Sequence, residues 1–174
     1  HYMNHTYFLG IDIGSTTAKL VLSRGKDDGT ADVENVIYET YERHLSRVRE
    51  KILELLDALP LDGDAVVSAA ISGSAGLGLS QAIGVPFVQE VFATGEVVKK
   101  LAPDTSAVIE LGGEDAKIIF FGGSLEERMN GSCAGGTGAF IDQMATLMNV
   151  TVNELDALSL KHEKIYPIAS RCGV

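Results

Sequence analysis

Asp12-Ile13-Gly14-Ser15-Thr16-Thr17-Ala18-Lys19-Leu20-Val21-Leu22 decides the fold, because the chain writes it twice. Glu110-Leu111-Gly112-Gly113-Glu114-Asp115-Ala116-Lys117-Ile118-Ile119-Phe120 lies over it at a constant offset of 98 residues, Asp12 falling on Glu110. An acid, a glycine, an alanine and a lysine recur in register. In each copy the acid ends an apolar run two residues before the glycine, and a second apolar run follows. Two such runs around a glycine-containing polar step read as buried strands joined by a tight turn. A repeat this long is no solenoid period, but it suits two lobes of like topology facing each other across a cleft.

Working outward, Thr6 to Ile13 and Thr17 to Ser23 are predicted strands around the first turn, and Val33 to Tyr41 a third. Ser46 to Leu59 carries Val48, Ile52, Leu55, Leu56 and Leu59 at helical spacing and is followed by Pro60, so an amphipathic helix is predicted there. Ala65 to Ile71 reads as a strand, Ala75 to Ile83 as a helix, Phe87 and Val88 as a brief strand, and Val91 to Leu101 as a helix closed by Pro103. The pattern then restarts. Ser106 to Leu111, Ala116 to Phe121 and Leu125 to Met129 are strands, and Ala139 to Val150 is a helix entered through a glycine-rich loop. A further helix opens at Thr151 with Glu154 three residues on, the spacing of a capping box. The expected class is α/β, with two lobes of duplicated βββαβα topology over 4–103 and 104–174. His1 and Tyr2 before Met3 make residues 1–3 look like a remnant of cloning.

Composition narrows the functions. The chain has 174 residues, 45% of them hydrophobic, enough to bury roughly 70% of its unfolded surface around one core or two small ones. Lys and Arg total 14 against 24 Asp and Glu, for a formal charge of −10, so no basic field exists to hold nucleic acid or anionic lipid. No apolar run approaches the roughly 20 residues of a membrane span. The opening HYMNHTYFLGIDIG lacks the features of a secretion signal, and the expected location is cytoplasmic. Nineteen glycines exceed the usual share of about 7%, and they cluster where apolar runs end, a pattern that suggests backbone approaching a ligand closely.

In Asp12-Ile13-Gly14-Ser15-Thr16-Thr17 the glycine lets backbone approach, the amides and hydroxyls can donate to phosphate oxygens, and the acid can hold a hydrated Mg²⁺. A single such motif is an ordinary hairpin turn; its duplication favours a polyphosphate gripped from both sides. Lys19 and Lys117 could touch phosphate, although a Lys so close to a turn more often points to solvent. Glu90, just before a helix, could orient water at a terminal phosphate or simply serve the helix dipole. Ile71-Ser72-Gly73-Ser74-Ala75-Gly76 lines the cleft or is a plain strand-to-helix turn.

Cys133 sits in Asn130-Gly131-Ser132-Cys133-Ala134-Gly135-Gly136-Thr137-Gly138, which leads straight into a helix. Backbone amides near a positive helix end stabilise a thiolate or the anionic cluster it holds, yet the segment also fits a phosphate loop with an incidental buried thiol. Cys172 follows in Ile168-Ala169-Ser170-Arg171-Cys172-Gly173-Val174. Two thiols cannot complete the shell of a 4Fe-4S centre, but two chains across a twofold axis could. A zinc site competes, although none of His1, His5, His44 and His162 has ligand spacing to either cysteine, and each reads as a surface residue.

From about Tyr7 to Val174, LGIDIGSTTAK, ELGGEDAK, NGSCAGGTGAFID and IASRCGV resemble, in that order, the activators of 2-hydroxyacyl-CoA dehydratases and the ATPase subunits of benzoyl-CoA reductase. These belong to the ribonuclease H-like actin, Hsp70 and sugar-kinase superfold, and the motifs here are most similar to those of the long multidomain members. The first motif is common to the superfold; the two cysteine motifs are specific. The resemblance implies that Asp12, Gly14, Ser15, Thr16 and Thr17, with Lys19, form one phosphate motif and that Glu110, Gly112, Gly113, Glu114 and Asp115 form the other. Gly135, Gly136 and Thr137 would add to the ATP site, Asp12 and Glu110 would hold Mg²⁺ through water, and Asp12, Glu110 and Glu90 would form the catalytic set. It implies that Cys133 and Cys172 hold one 4Fe-4S cluster between the two subunits of a homodimer. ATP hydrolysis would then drive a low-potential electron to an acyl-CoA dehydratase or reductase component.

Glu110 departs from the Asp of many superfold members and reaches one methylene further. The resemblance also implies further strands of the second lobe and an adenosine segment beyond Val174, so the second lobe is expected to be incomplete and the chain alone to bind ATP poorly and be inactive. Two other functions fit parts of the sequence: a small-molecule kinase of the same superfold, whose acceptor-site base is not identifiable here, and a noncatalytic assembly module.

Overall fold

The computed structural model describes residues 6–130 and 137–166. The chain divides into two compact units, His1–Val97 and Val98–Val174. In the first, β1 (Thr6–Ile13), β2 (Thr17–Gly25), β3 (Ala31–Arg43) and β4 (Val66–Ser72) form one sheet in the order β3-β2-β1-β4, with α1 (Val48–Asp57) and α2 (Gly76–Ile83) following β3 and β4. β1 runs antiparallel to β2, β2 antiparallel to β3, and β1 parallel to β4. The brief strand expected at Phe87 and Val88 is a single parallel bridge from Phe87 to Ile71, with Val88 N–H donating to Ile71 O at 2.8 Å. It extends the parallel side by one position.

Alternation builds this sheet. Tyr7, Leu9, Ile11 and Ile13 on β1 and Ala18, Leu20 and Leu22 on β2 are buried, and α1 presses Ile52 and Leu55 into the same cluster with Ile71 of β4. The second unit carries β5 (Ala107–Leu111), β6 (Ala116–Phe120) and β7 (Glu126–Met129) as an antiparallel sheet in that order, then α4 (Gly138–Leu147) and α5 (Val152–Ser159), while α3 (Glu90–Leu101) spans the division. The duplication holds in backbone register but not in coverage. Ile11 and Ile13 are 4% and 0% exposed, whereas Ile109 and Leu111, the same positions of the second copy, are 72% and 50% exposed. α1 buries Ile52 and Leu55 against the first sheet, whereas α4, the helix that follows β7, buries Ala145.

The capping box forms as the spacing requires: Thr151 Oγ1 accepts from Glu154 N–H at 3.2 Å, and Thr151 N–H donates to Glu154 Oε2 at 2.7 Å. The Thr151 backbone amide first, and its hydroxyl second, hold the Glu154 carboxyl below the usual glutamate range. A carboxyl depressed on folding contributes stability at pH values above its unfolded pKa and loses it as pH falls through the folded value. Thr151→Ala removes the hydroxyl and keeps the amide, so it should move the Glu154 midpoint part of the way up toward the ordinary range in a carboxyl carbon-13 titration and fray the first turn of α5. An unmoved midpoint would contradict the box.

Candidate nucleotide site

The two acid-glycine turns are built alike. Gly14 N–H donates to Thr17 O at 2.9 Å, and Gly112 N–H to Asp115 O at 2.8 Å, the same bond at the same offset. Counting outward from these closing pairs, Asp12 stands opposite Lys19 and Glu110 opposite Lys117. Each lysine turns back onto its acid: Lys19 Nζ lies 2.7 Å from Asp12 Oδ2, and Lys117 Nζ lies 3.4 Å from Glu110 Oε1. The expectation that these lysines point to solvent is thereby corrected. Lys117 is 4% exposed, and Lys19 is further held over the Tyr41 ring at 5.4 Å. The Lys19–Asp12 pair is half-open, so it is worth about 0–1 kcal/mol and serves more to orient the acid than to stabilise the fold.

Asp12 has an oxygen to spare. Its Oδ1 is buried and accepts no hydrogen bond. β4 ends beside it, with Ser72 in register with Asp12, and the chain passes through Gly73 at φ +94. A Cβ on Gly73 would sit 2.5 Å from Asp12 Oδ1 and collide with Ile13 O. The Ile71–Gly76 segment thus packs bare backbone against the acid at Gly73. A buried carboxylate oxygen with no donor is the arrangement a hydrated cation would satisfy, so Asp12 fits the implied Mg²⁺. Among the described residues no cluster of three or more His, Cys, Asp or Glu is placed to hold a metal, so water and phosphate oxygens would complete the shell.

Ser15 is exposed, Gly14 and Thr16 half-buried and Thr17 buried. Gly14 has room: a Cβ there would lie 3.6 Å from Thr17 Oγ1, an ordinary contact, so nothing within the hairpin demands glycine. Gly112 differs, since its Cβ would strike Asp115 Oδ1. Glu90 is the first residue of α3, where a carboxylate meets the positive helix end, two residues past the bridge segment that continues the parallel side of the sheet. Asp12, Ser72 and Val88 thus end three parallel segments at one sheet edge, where ligands of open α/β sheets collect.

In the second unit the helix after the cysteine loop is tied to its turn. Gly138 N–H donates to Gly112 O at 2.7 Å and Ala139 N–H to Gly113 O at 3.1 Å, and buried Thr137 occupies the N-cap position. The first amides of α4 are therefore given to the turn rather than left open to a ligand. Glu114 and Asp115 complete the turn on its way into β6. Gly135, Gly136, Cys133 and Cys172 lie outside the described residues. A groove of about 520 Å³ lined by Pro103, Asp104, Phe120 and Arg128 sits at the opposite end of β5 and β6 from the turn and takes no part in it.

Sequence reasoning missed His44. It was expected on the surface but is 5% exposed, its Nε2 lying 3.0 Å from Gly14 O. His162 is exposed as expected, and His1 and His5 lie outside the described residues.

The sequence matches the BadF/BadG/BcrA/BcrD ATPase family over residues 9–174. The chain belongs to that family. It is 32% identical to the 2-hydroxyisocaproyl-CoA dehydratase activator of Clostridioides difficile over 97% of its own length and 62% of the relative's. Its fold is similar to that of component A of the (R)-2-hydroxyglutaryl-CoA dehydratase of Acidaminococcus fermentans, with a TM-score of 0.75 and 27% identity over 97% of this chain and 64% of that one. It is also similar to the Clostridium difficile 2-hydroxyisocaproyl-CoA dehydratase activator with bound ADPNP, with a TM-score of 0.72 and 29% identity over 96% and 61% of the two chains. The chain therefore spans somewhat under two thirds of the length of these relatives. Among the described residues of this family member no helix is long and apolar enough to cross a membrane.

Proposed function

We propose that the chain is the nucleotide-binding part of an ATP-driven activator that delivers a low-potential electron to an acyl-CoA dehydratase or reductase component. The observation that carries the nucleotide half is the partnerless buried Oδ1 of Asp12, framed by a glycine that admits no side chain. Each unit contributes an acid-glycine turn of the same build; Asp12 and Glu110 hold Mg²⁺ through water, and the amides and hydroxyls that follow Gly14 and Gly112, at Ser15 to Thr17 and Gly113 to Asp115, meet phosphate oxygens. Bound Mg²⁺ supplies charge neutralisation of the phosphates. Glu90 orients the water that converts ATP to ADP and phosphate. A ligand standing against Gly14 explains why glycine occupies a place its own hairpin does not require.

The electron half rests on Cys133 and Cys172 and on the activators the chain is similar to. Two chains, each giving both thiols, hold one 4Fe-4S cluster, which supplies a one-electron low-potential couple refilled by an external donor. The bonds from Gly138 and Ala139 to the Gly112-Gly113 carbonyls give the phosphate turn a direct mechanical hold on the helix that follows Cys133. A shift of that turn on hydrolysis is thereby passed to the thiol loop.

Anaerobic reconstitution of the chain with iron and sulfide is expected to give about four irons per dimer, lost in Cys133→Ser. A chain extended to its relatives' length is expected to hydrolyse ATP in a Mg²⁺-dependent way. Iron-free protein after anaerobic reconstitution would remove the electron-transfer half, and transfer of phosphate from ATP to a sugar or acid would replace it with a kinase.

A further inference from the structure

The glycine carbonyl of each turn is claimed by a donor from outside its hairpin, and the two donors differ. Gly112 O accepts from Gly138 N–H at the start of α4. Among the described residues of the first unit no helix amide arrives at Gly14: the residue before α2, Ala75, donates its N–H to Ile13 O at 2.9 Å instead. The imidazole of His44, 30 residues along the chain from Gly14, takes that place at 3.0 Å.

The hydrogen-bond pattern fixes the form of the ring. Ser46 N–H, which can only donate, points at His44 Nδ1 at 3.1 Å. Nδ1 is therefore the acceptor, the proton sits on Nε2, and the ring is neutral and donates to Gly14 O. The His44 backbone N–H donates to Thr16 O at 3.1 Å, so one residue holds two carbonyls of the turn. The corner that delivers it is unusual: Leu45 and Ser46 are consecutive non-glycine residues at φ 50 and 63. Such backbone persists only where surrounding contacts over-determine it. Here Arg47 N–H returns to His44 O at 2.8 Å and closes the corner.

We propose that His44 is the positioning residue of the first phosphate turn, a neutral imidazole whose Nε2–H pins the Gly14 carbonyl and so aims the Ser15 amide at the nucleotide. The aim follows from peptide geometry. No peptide bond in the described residues is cis, and in a trans unit the N–H points opposite to the C=O. Drawing the Gly14 carbonyl toward His44 turns the Ser15 N–H to the far side, where an anion would accept it. The inference rests on the nucleotide reading above.

Nitrogen-15 NMR of the imidazole is expected to show the Nε2-protonated tautomer, and amide hydrogen exchange to quicken at Ser15 to Thr17 in His44→Phe but not in His44→Gln, whose longer amide can still donate. In a chain extended to its relatives' length, KM for ATP should rise about tenfold in the Phe variant, the effect of one lost hydrogen bond, and by clearly less in the Gln variant. An Nδ1-protonated tautomer, exchange unchanged in the Phe variant, or equal impairment of both variants would overturn the proposal. A parent with no ATP hydrolysis would sink the nucleotide reading, while the tautomer and exchange still decide whether His44 fixes the turn.

Discussion

Gly73→Ala is expected to destabilise the first unit by about 2–6 kcal/mol, enough to unfold a domain of ordinary stability. Two costs add. At φ +94 any residue with a Cβ is strained, by about 1–3 kcal/mol. The new methyl would also collide with Ile13 O and stand 2.5 Å from both Ile13 C and Asp12 Oδ1. Overpacking of that kind costs about 1–3 kcal/mol where the neighbour can yield. This neighbour cannot yield readily, because Ile13 is wholly buried, its strand is paired on both sides, and its carbonyl is held by Ala75 N–H. Gly78→Ala is the internal contrast: within α2, with nothing inside 4 Å of the added Cβ, it should stabilise by about 0.5–1 kcal/mol. Urea unfolding with hydrogen exchange at the β1 amides measures both. Equal midpoints for Gly73→Ala and the parent would mean that β4 does not end against Asp12.

What was legible in the sequence is what local spacing or periodicity controls. The capping box at Thr151 and Glu154 needs four residues, and the strands at Thr6–Ile13 and Thr17–Gly25 need only alternation. The repeat of Asp12 in Glu110 was legible because composition and spacing recur. The lysines were misread although the signal was present: from the Gly14 and Thr17 closing pair the hairpin places Asp12 opposite Lys19, and a cross-strand acid and base at that separation pair. His44 and Gly73 were not legible as parts of the site. Their contacts with Gly14 and Asp12 depend on the order of strands in the sheet and on the corner after β3, which no local pattern encodes. The difference between buried Ile13 and exposed Leu111 was equally hidden, since both sit at the same place in the same motif.

Asp12→Ala should separate function from stability. If Asp12 holds Mg²⁺ and phosphate, its loss should lower ATP hydrolysis in a chain extended to its relatives' length by about 100-fold or more, the scale seen when one preorganised electrostatic contact to a transition state is removed. A residue retained for the fold would behave differently. The half-exposed pair with Lys19 contributes about 0–1 kcal/mol. Against it stands the buried Oδ1 with no partner, a group whose desolvation costs about 1–3 kcal/mol and disappears with the side chain. Lys19 is not stranded, because the Tyr41 ring remains beneath it. The second term is at least as large as the first, so the variant should be as stable as the parent or more stable by up to about 3 kcal/mol, the signature of a site held at the expense of stability. Asp12→Asn, which keeps the shape and loses the charge, should be equally inactive. Destabilisation of the Ala variant by more than about 2 kcal/mol, together with undiminished hydrolysis, would return Asp12 to the role of an ordinary hairpin acid.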